Sequence, residues 1–236
     1  MPSKKKPFMI DYLSRLETID SSLMNARKNL VLDMLEGKKI LDIGCGTGFI
    51  ANSIAKKGYD VTGIDIEPEG IKLAKKGMSK KHKANFLVGD FFDFNFKKET
   101  FDCVLLTDVL EHIKEDDKLL RGIYRVLKKR GILIILVPAL QFFFGYHDRE
   151  IGHQRRYSKK NLKKQLDHAR FSIEKMRYWN MITIPMLLLF SKILNRPYPH
   201  SGKSTNKILS AYFDHIERRI SMPIGVSLVV KARKRG

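Results

Sequence analysis

Lys38-Lys39-Ile40-Leu41-Asp42-Ile43-Gly44-Cys45-Gly46-Thr47-Gly48 is the stretch on which the reading of the chain turns. Residues 38–43 read as a short buried strand. Three glycines at alternate positions end it, and a helical pattern starts at once, from about Phe49 to Lys57. A strand, a glycine turn and a helix in that order point backbone N–H groups and a helix N-terminus at a ligand. Glycine lets the chain turn tightly and leaves space where a side chain would block that ligand.

Working outward, the alternation repeats. A second strand over 61–66 carries Asp65 near its end, and Pro68 stands where the next helix begins. A basic loop, Lys80-Lys81-His82-Lys83, leads to a third strand over 84–88, closed by Gly89-Asp90-Phe91. The fourth, 101–106, ends at Thr107-Asp108. A helix bearing Leu119, Leu120, Ile123, Val126 and Leu127 precedes the fifth strand, 132–137, which stops at Pro138. Upstream, residues 9–36 have helical periodicity and predict a helix packed beside the site or over it. Continuous apolar strands alternating with helices predict an α/β fold, its parallel sheet covered on both faces. Such sheets bind ligands outside the carboxyl ends of their strands. Asp65, Asp90 and Asp108 each stand at that end of a different strand, which marks a site.

The 236 residues suit one domain, read as a basic tail over 1–8 and a single domain over 9–236. A composition 43% hydrophobic and 30% charged supports a sizeable core and excludes a wholly disordered chain. Two cysteines, Cys45 and Cys103, make no disulfide framework and fit a reducing, cytoplasmic interior. Asp11 cuts short the apolar run after Lys4-Lys5-Lys6, which argues against a signal peptide. No run of about 20 apolar residues offers a membrane span. The net charge of +20 is uneven: residues 153–236 hold 19 Lys/Arg against four Asp/Glu. Such a surface attracts nucleic acid, anionic lipid or phosphorylated substrates, unless it only solubilises.

The turn is not of the G-x-G-x-x-G kind, because Phe49 occupies the position of the third glycine. Asp42 would also repel a pyrophosphate, whereas a ligand carrying an ammonium and a sulfonium would welcome it. On charge, the turn prefers a cationic, phosphate-free nucleoside.

Taken together, residues 41–48, Gly63-Ile-Asp-Ile66, Gly89-Asp-Phe91, Asp108-Val-Leu-Glu-His-Ile113 and residues 131–138 resemble the class I S-adenosylmethionine-dependent methyltransferases. The nearest likeness is to their small-molecule group with the ubiquinone/menaquinone-type enzymes, and it covers roughly residues 28–172. The resemblance implies a doubly wound, Rossmann-like sheet of seven mostly parallel strands, the last one antiparallel. It implies S-adenosyl-L-methionine as cofactor, with Asp42, Gly44, Cys45, Gly46 and Gly48 around the methionine portion. Asp65 would accept from both ribose hydroxyls, Ile66 pack on the adenine face, and Asp90 accept from the adenine amino group. Phe91 would border the ring, and Thr107 lie beneath the methionine end. Chemistry agrees: two hydroxyl donors suit one carboxylate, and an exocyclic amine wants an acceptor.

A helix beginning at Asp108 would put Asp108, Glu111 and His112 on one face, at i, i+3 and i+4. Three roles stay open for these candidate catalytic residues. His112 acts as a general base for a hydroxyl or amine. Alternatively, the trio binds a divalent metal, as similar acid-x-x-Glu-His segments do in ubiquinone O-methyltransferases and small-RNA 3′-end methyltransferases. There Asp108 would replace a longer Glu, and no residue is assigned as a metal ligand. In the third, Glu111 and His112 only shape the pocket. After Pro138, residues 141–158 gather five aromatics, two histidines and three arginines, with His147, His153, Arg156 and Tyr157 as candidate acceptor-binding residues. The His-x-Arg-Arg-Tyr-Ser pattern is similar to that of methyltransferases found with glycan- and lipid-modifying enzymes.

A sixth strand over 171–178 and a seventh over 225–232 bracket a helical pair, about 181–194 and 204–220. The first helix is apolar nearly all round and flanked by Lys192 and Arg196, which reads as a lid over the acceptor or an interfacial anchor. The whole is expected to methylate a small, lipid- or glycan-linked acceptor, with an anionic membrane surface as candidate partner. The alternatives are an RNA methyltransferase using the basic C-terminal surface, and a non-catalytic binding subunit.

Overall fold

The computed structural model describes residues 21–78, 84–196 and 207–236. The expected basic tail, the first half of the N-terminal helix, the loop Lys80–Lys83 and the start of the second inserted helix lie outside them.

Helix α1 (Ser21–Met34) precedes β1 (Lys39–Ile43), α2 (Phe49–Ala55), β2 (Asp60–Asp65), α3 (Pro68–Lys76), β3 (Ala84–Val88) and β4 (Phe101–Thr107). Then come α4 (Asp116–Val126), β5 (Leu127–Pro138), α5 (Tyr146–Glu150), α6 (Lys159–His168) and β6 (Phe171–Trp179). Helix α7 (Ile184–Met186) runs on as π-helix Leu187–Ile193, and α8 (Lys207–Ala211) as π-helix Tyr212–Glu217, before β7 (Ser227–Lys234). The seven strands form one sheet in the order β3-β2-β1-β4-β5-β7-β6. β1 to β5 pair in parallel, while β7 runs antiparallel to both β5 and β6.

The period-2 alternation of each strand divides the core. Leu41, Ile43, Val104, Leu106, Leu133 and Ile135 pack with Leu120 and Ile123 of α4 and with Leu162 and Leu166 of α6. Ile40, Cys103, Leu105, Ile132 and Ile134 face the other way, against Leu30 of α1, Ile54 of α2 and Ala74 of α3. This is the doubly wound arrangement expected from the sequence. The strand order reverses between β1 and β4, and there the crevice for a ligand opens. Register brings Ile43 level with Ile64 and Leu106, so the turns after these strands share one edge.

Two expectations need correction. β5 begins at Leu127 rather than Ile132, because Leu127 pairs with Phe101 and a register shift between Phe101 and Cys103 absorbs the extra residues. No helix begins at Asp108. That residue adopts φ 54°, which breaks a helix, and only a 3₁₀ turn, Leu110–His112, follows before α4.

Candidate active site

The turn after β1 is a cradle made by backbone. Gly44 has φ 70° and Gly48 φ 76°, a region costly for L-residues with a Cβ. A Cβ on Gly44 would lie 2.3 Å from Val109 Cγ2, so the turns after β1 and β4 touch here without room for a methyl. Gly44 N and Cys45 N donate to the Ile64 carbonyl at 2.8 and 3.0 Å, which ties the turn to β2. Cys45 is buried, and desolvation keeps its thiol protonated. Asp42 is 1% exposed and, among the described residues, its Oδ1 has no hydrogen-bond partner. Burial, with a smaller push from the nearby Asp65 charge, raises its carboxyl to about 7.

Asp65 closes the cradle from β2. Its Oδ2 accepts from Gly46 N at 2.7 Å and its Oδ1 from Glu67 N at 2.9 Å. A carboxylate has about four lone-pair positions, so two such bonds orient it and leave acceptors for a diol. Ile66 beside it is 65% exposed, an apolar surface with nothing packed on it that suits a base. Asp90 is exposed and caps the following 3₁₀ turn, accepting from Phe92 N at 2.9 Å, which leaves its other oxygen for a donor. Phe91, expected to border the adenine ring, is buried in this structure. It is 5% exposed and packs so tightly on Gly122 that a Cβ there would meet its ring at 2.7 Å. The exposed ring is Phe92, with Lys118 Nζ 5.0 Å from its centroid. Thr107 stands half-buried at the end of β4, on the edge the cradle shares.

Asp108, Glu111 and His112 do not share a face. The left-handed turn at Asp108 sends its carboxylate to Arg27 of α1, in an ion pair. Glu111 is fully buried, and among the described residues neither carboxylate oxygen has a hydrogen-bond partner. Desolvation, reinforced by the Asp108 charge, holds its carboxyl well above the usual carboxylate range. What the structure gathers instead is Glu111, His112 and His153, with one ligand-type atom of each within 4.8 Å of the others. His153 Nε2 lies 3.6 Å from Glu111 Oε1, and the two imidazole centroids are 4.8 Å apart. Burial first, and then the neighbouring His153, pushes His112 down to about 4, so it is neutral at physiological pH.

A buried acid organises this cluster from behind. Asp148 Oδ1 accepts from Arg156 Nε at 2.8 Å and contacts His153 Nδ1 at the same distance, while its Oδ2 accepts from Gly145 N at 2.9 Å. Burial would raise the Asp148 carboxyl, but the hydrogen bonds and charge of His153 and Arg156 overcome it and bring it to about 2. An ionised Asp148 keeps the proton of His153 on Nδ1 and leaves Nε2 turned towards Glu111. Asp148→Asn is therefore expected to lower the melting temperature and to cut activity together, since it removes both the carboxylate that pairs with Arg156 and the tautomer control. The wild type's margin over this variant should shrink as pH falls from about 4 towards 2, because a depressed carboxyl stabilises the fold only while ionised. A thermal-melt series against pH checks the sign.

The remaining acceptor candidates divide. His147 lies half-buried in α5, and His153 in the turn after it, with a side chain only 7% exposed. Arg156 and Tyr157 belong to the interior, at 7% and 2% exposed, which corrects their reading as acceptor-facing. The fixed partner of Arg156 is Asp148, and the Tyr157 hydroxyl lies 3.1 Å from both the Leu110 carbonyl and Asp116 Oδ2. Both brace the loop from within. Sequence reasoning missed Arg27 and Asp148. Arg27 was legible, as a charge on the apolar stripe Leu23, Leu30, Met34 of α1. Asp148 had no such signal, since its partners lie five and eight residues on, around a turn.

Residues 41–135 match the methyltransferase domain family. Norajmaline N-methyltransferase of Rauvolfia serpentina is 36% identical over 106 residues, covering 43% of this chain and 36% of the relative. Ubiquinone biosynthesis O-methyltransferase of Xanthomonas oryzae pv. oryzae is 33% identical over 103 residues, covering 43% of each. The chain thus spans about two fifths of the length of these curated relatives. Among solved structures, a SAM dependent methyltransferase from Archaeoglobus fulgidus superposes with a TM-score of 0.63 at 20% identity, over 90% of this chain and 93% of that one. The [4+2]-cyclase SpnF does so at 0.60 and 22% identity, over 89% and 81%.

Proposed function

We propose that this chain, which carries a class I S-adenosylmethionine-dependent methyltransferase domain, moves the cofactor's methyl group to a nucleophilic atom of a small acceptor. The observation that carries the reading is that two unlike groups follow the adjacent strands β1 and β4, whose turns meet at Gly44 and Val109. After β1 stands a glycine cradle beside an orphaned carboxylate; after β4, Glu111 and His112 of the buried Glu–His–His cluster.

The residues fit the cofactor. Among the described residues Asp42 Oδ1 is a buried acceptor with no hydrogen-bond partner, suited to a cationic amino acid group, and the turn beside it takes positive φ at Gly44, Gly46 and Gly48. Asp65 offers oriented acceptors for the ribose diol, and Ile66 an apolar face for adenine. When bound, S-adenosylmethionine supplies an already activated methyl on a sulfonium, so the chain's task is alignment and the acceptor's proton. His112, neutral and beside Glu111, accepts that proton from a hydroxyl or amine in the first reading. The second rests on the three ligand-type atoms within 4.8 Å: a divalent cation held by Glu111, His112 and His153, with Asp148 orienting His153 behind it.

For the acceptor class, the aromatic loop 141–157 and the apolar insertion favour a lipid- or glycan-linked small molecule. Labelled cofactor incubated with fractionated cell extract tests this: label is expected in the lipid-extractable or small-molecule fraction. Salt-sensitive label in RNA would favour an RNA methyltransferase instead. Transfer to no fraction would leave a non-catalytic subunit, or another chemistry on the same fold, as the better reading.

A further inference from the structure

We propose that the outer face of α7 and its π-helical continuation, with Phe142 beside it, is a docking surface for an anionic lipid bilayer. The proposal concerns a partner and does not depend on which acceptor is methylated.

The sequence 184–194, Ile-Pro-Met-Leu-Leu-Leu-Phe-Ser-Lys-Ile-Leu, is apolar around nearly its whole circumference, and such a helix ordinarily lies inside a core. This one buries a narrow stripe: Leu187 is 3% and Ser191 2% exposed. Ile184, Leu188 and Phe190 are half-buried, and the outer face is exposed, with Met186 at 39%, Leu189 at 44%, Leu194 at 44% and Ile193 at 73%. Phe142 is 75% exposed and continues the patch, with Lys192 Nζ 5.5 Å from its ring centroid. A contiguous apolar surface with cations along it is the pattern of interfacial helices. Among the described residues no helix is long and apolar enough to cross a membrane, so the contact is with its surface.

Charge selects the occupant. The described insertion holds Lys192 and Arg196 on the patch's own segment, and Lys207, Arg218 and Arg219 further along the chain, Arg218 paired with Asp33, against Asp214 and Glu217. Both acids are engaged inside the protein. Glu217 is fully buried and accepts from Met181 N at 2.8 Å, and Asp214 accepts from Asn29 at 3.0 Å. A second copy would bring another +20 of charge to the interface, and the two would repel. A nucleic acid would satisfy the charge but leave the leucines and isoleucines in water. Anionic headgroups above an acyl layer satisfy both.

The face is also rigidly joined to the site. Ser191 Oγ accepts from His147 N at 3.2 Å, and Arg149 Nη2 donates to Asn195 Oδ1 at 3.2 Å. Gly145 packs so close that a Cβ would lie 2.4 Å from Ser191 Oγ. A bilayer under α7 would therefore be held at a fixed offset from the loop that carries Asp148 and His153.

The test is flotation of the full chain with vesicles of phosphatidylcholine alone, or of phosphatidylcholine mixed with phosphatidylglycerol. The wild type should partition at least about tenfold better onto the anionic vesicles. The double variant Leu189→Asp, Ile193→Asp should lose about tenfold or more of that partitioning, with melting temperature and cofactor affinity unchanged. Indifference of the wild type to phosphatidylglycerol would overturn the proposal, and so would full binding by a folded double variant. A wild-type dimer in size-exclusion chromatography that the double variant abolishes would assign the face to a second copy instead.

Discussion

Asp65→Ala is expected to weaken S-adenosylmethionine binding by about 100-fold or more, the loss of two hydrogen bonds to a charged group at about 1.5–3 kcal/mol each. The effect is large because one carboxylate does two jobs. It offers acceptors to the ribose diol, and it pins the glycine turn through Gly46 N and the start of α3 through Glu67 N. Asp65→Asn keeps one acceptor and should fall between. Calorimetry on the purified chain measures both, and an unchanged affinity for Asp65→Ala would remove the cradle from the argument. The same titration should depend on pH through Asp42. Below about 7 its buried carboxyl holds a proton that a cationic ligand must displace, so affinity should rise as pH rises through about 7 and level off above it. Stability of the ligand-free chain should move the other way. Between about 4 and 7 the fold binds a proton that the unfolded chain has already released, so stability falls with rising pH over that window. Asp42→Asn should remove that component of the slope.

The cradle and the fold were legible for a common reason. β1 to β5 are short apolar runs closed by Gly, Asp or Pro, and their order follows from local alternation. Asp42, the glycines and Asp65 lie within 24 residues of one another, at strand ends whose position the pattern supplies. The cluster was legible only in part. Glu111 and His112 stood out, but the helix drawn through them from Asp108 failed because Asp108 takes a left-handed conformation. That conformation depends on tertiary ties: Asp108 N donates to the Leu136 carbonyl, and its carboxylate pairs with Arg27, 81 residues away. His153 likewise reaches Glu111 through the path of a loop, which no spacing encodes. Arg156 and Tyr157 were misread because a polar side chain in an aromatic loop looks the same in sequence whether it faces a ligand or braces the interior. The misplacement of Phe91 has the same origin. In adjacent Phe91 and Phe92 one ring is buried and the other exposed, and the choice follows from tertiary packing of Phe91 against Gly122 and Phe96.

Glu111→Gln is expected to lower methyl transfer by about 100-fold or more while making the protein more stable, and the two signs together are the diagnostic. Glu111 is fully buried, among the described residues both oxygens lack partners, and its carboxyl is held well above the usual range by desolvation and by Asp108. A group so placed destabilises the fold whenever it is ionised. Its cost is absent well below the ordinary glutamate value and grows as pH rises above it, because only the unfolded chain ionises freely there. Replacing it by a neutral amide should stabilise by about 1–3 kcal/mol, the scale of one uncompensated buried polar group, and more at high pH than at low. Proton or cation handling is the proposal that such a residue beside two histidines supports. Cofactor affinity should not change, because the bonds that shape the glycine cradle run through Asp65 and Ile64 and not through Glu111. Chelator then divides the two readings of the cluster. Activity that falls on chelation and returns with a divalent cation assigns Glu111, His112 and His153 as ligands, whereas indifference to chelator leaves His112 as the base. A Glu111→Gln enzyme that is fully active, or one that is inactive because it is less stable, would show that the cluster only shapes the pocket.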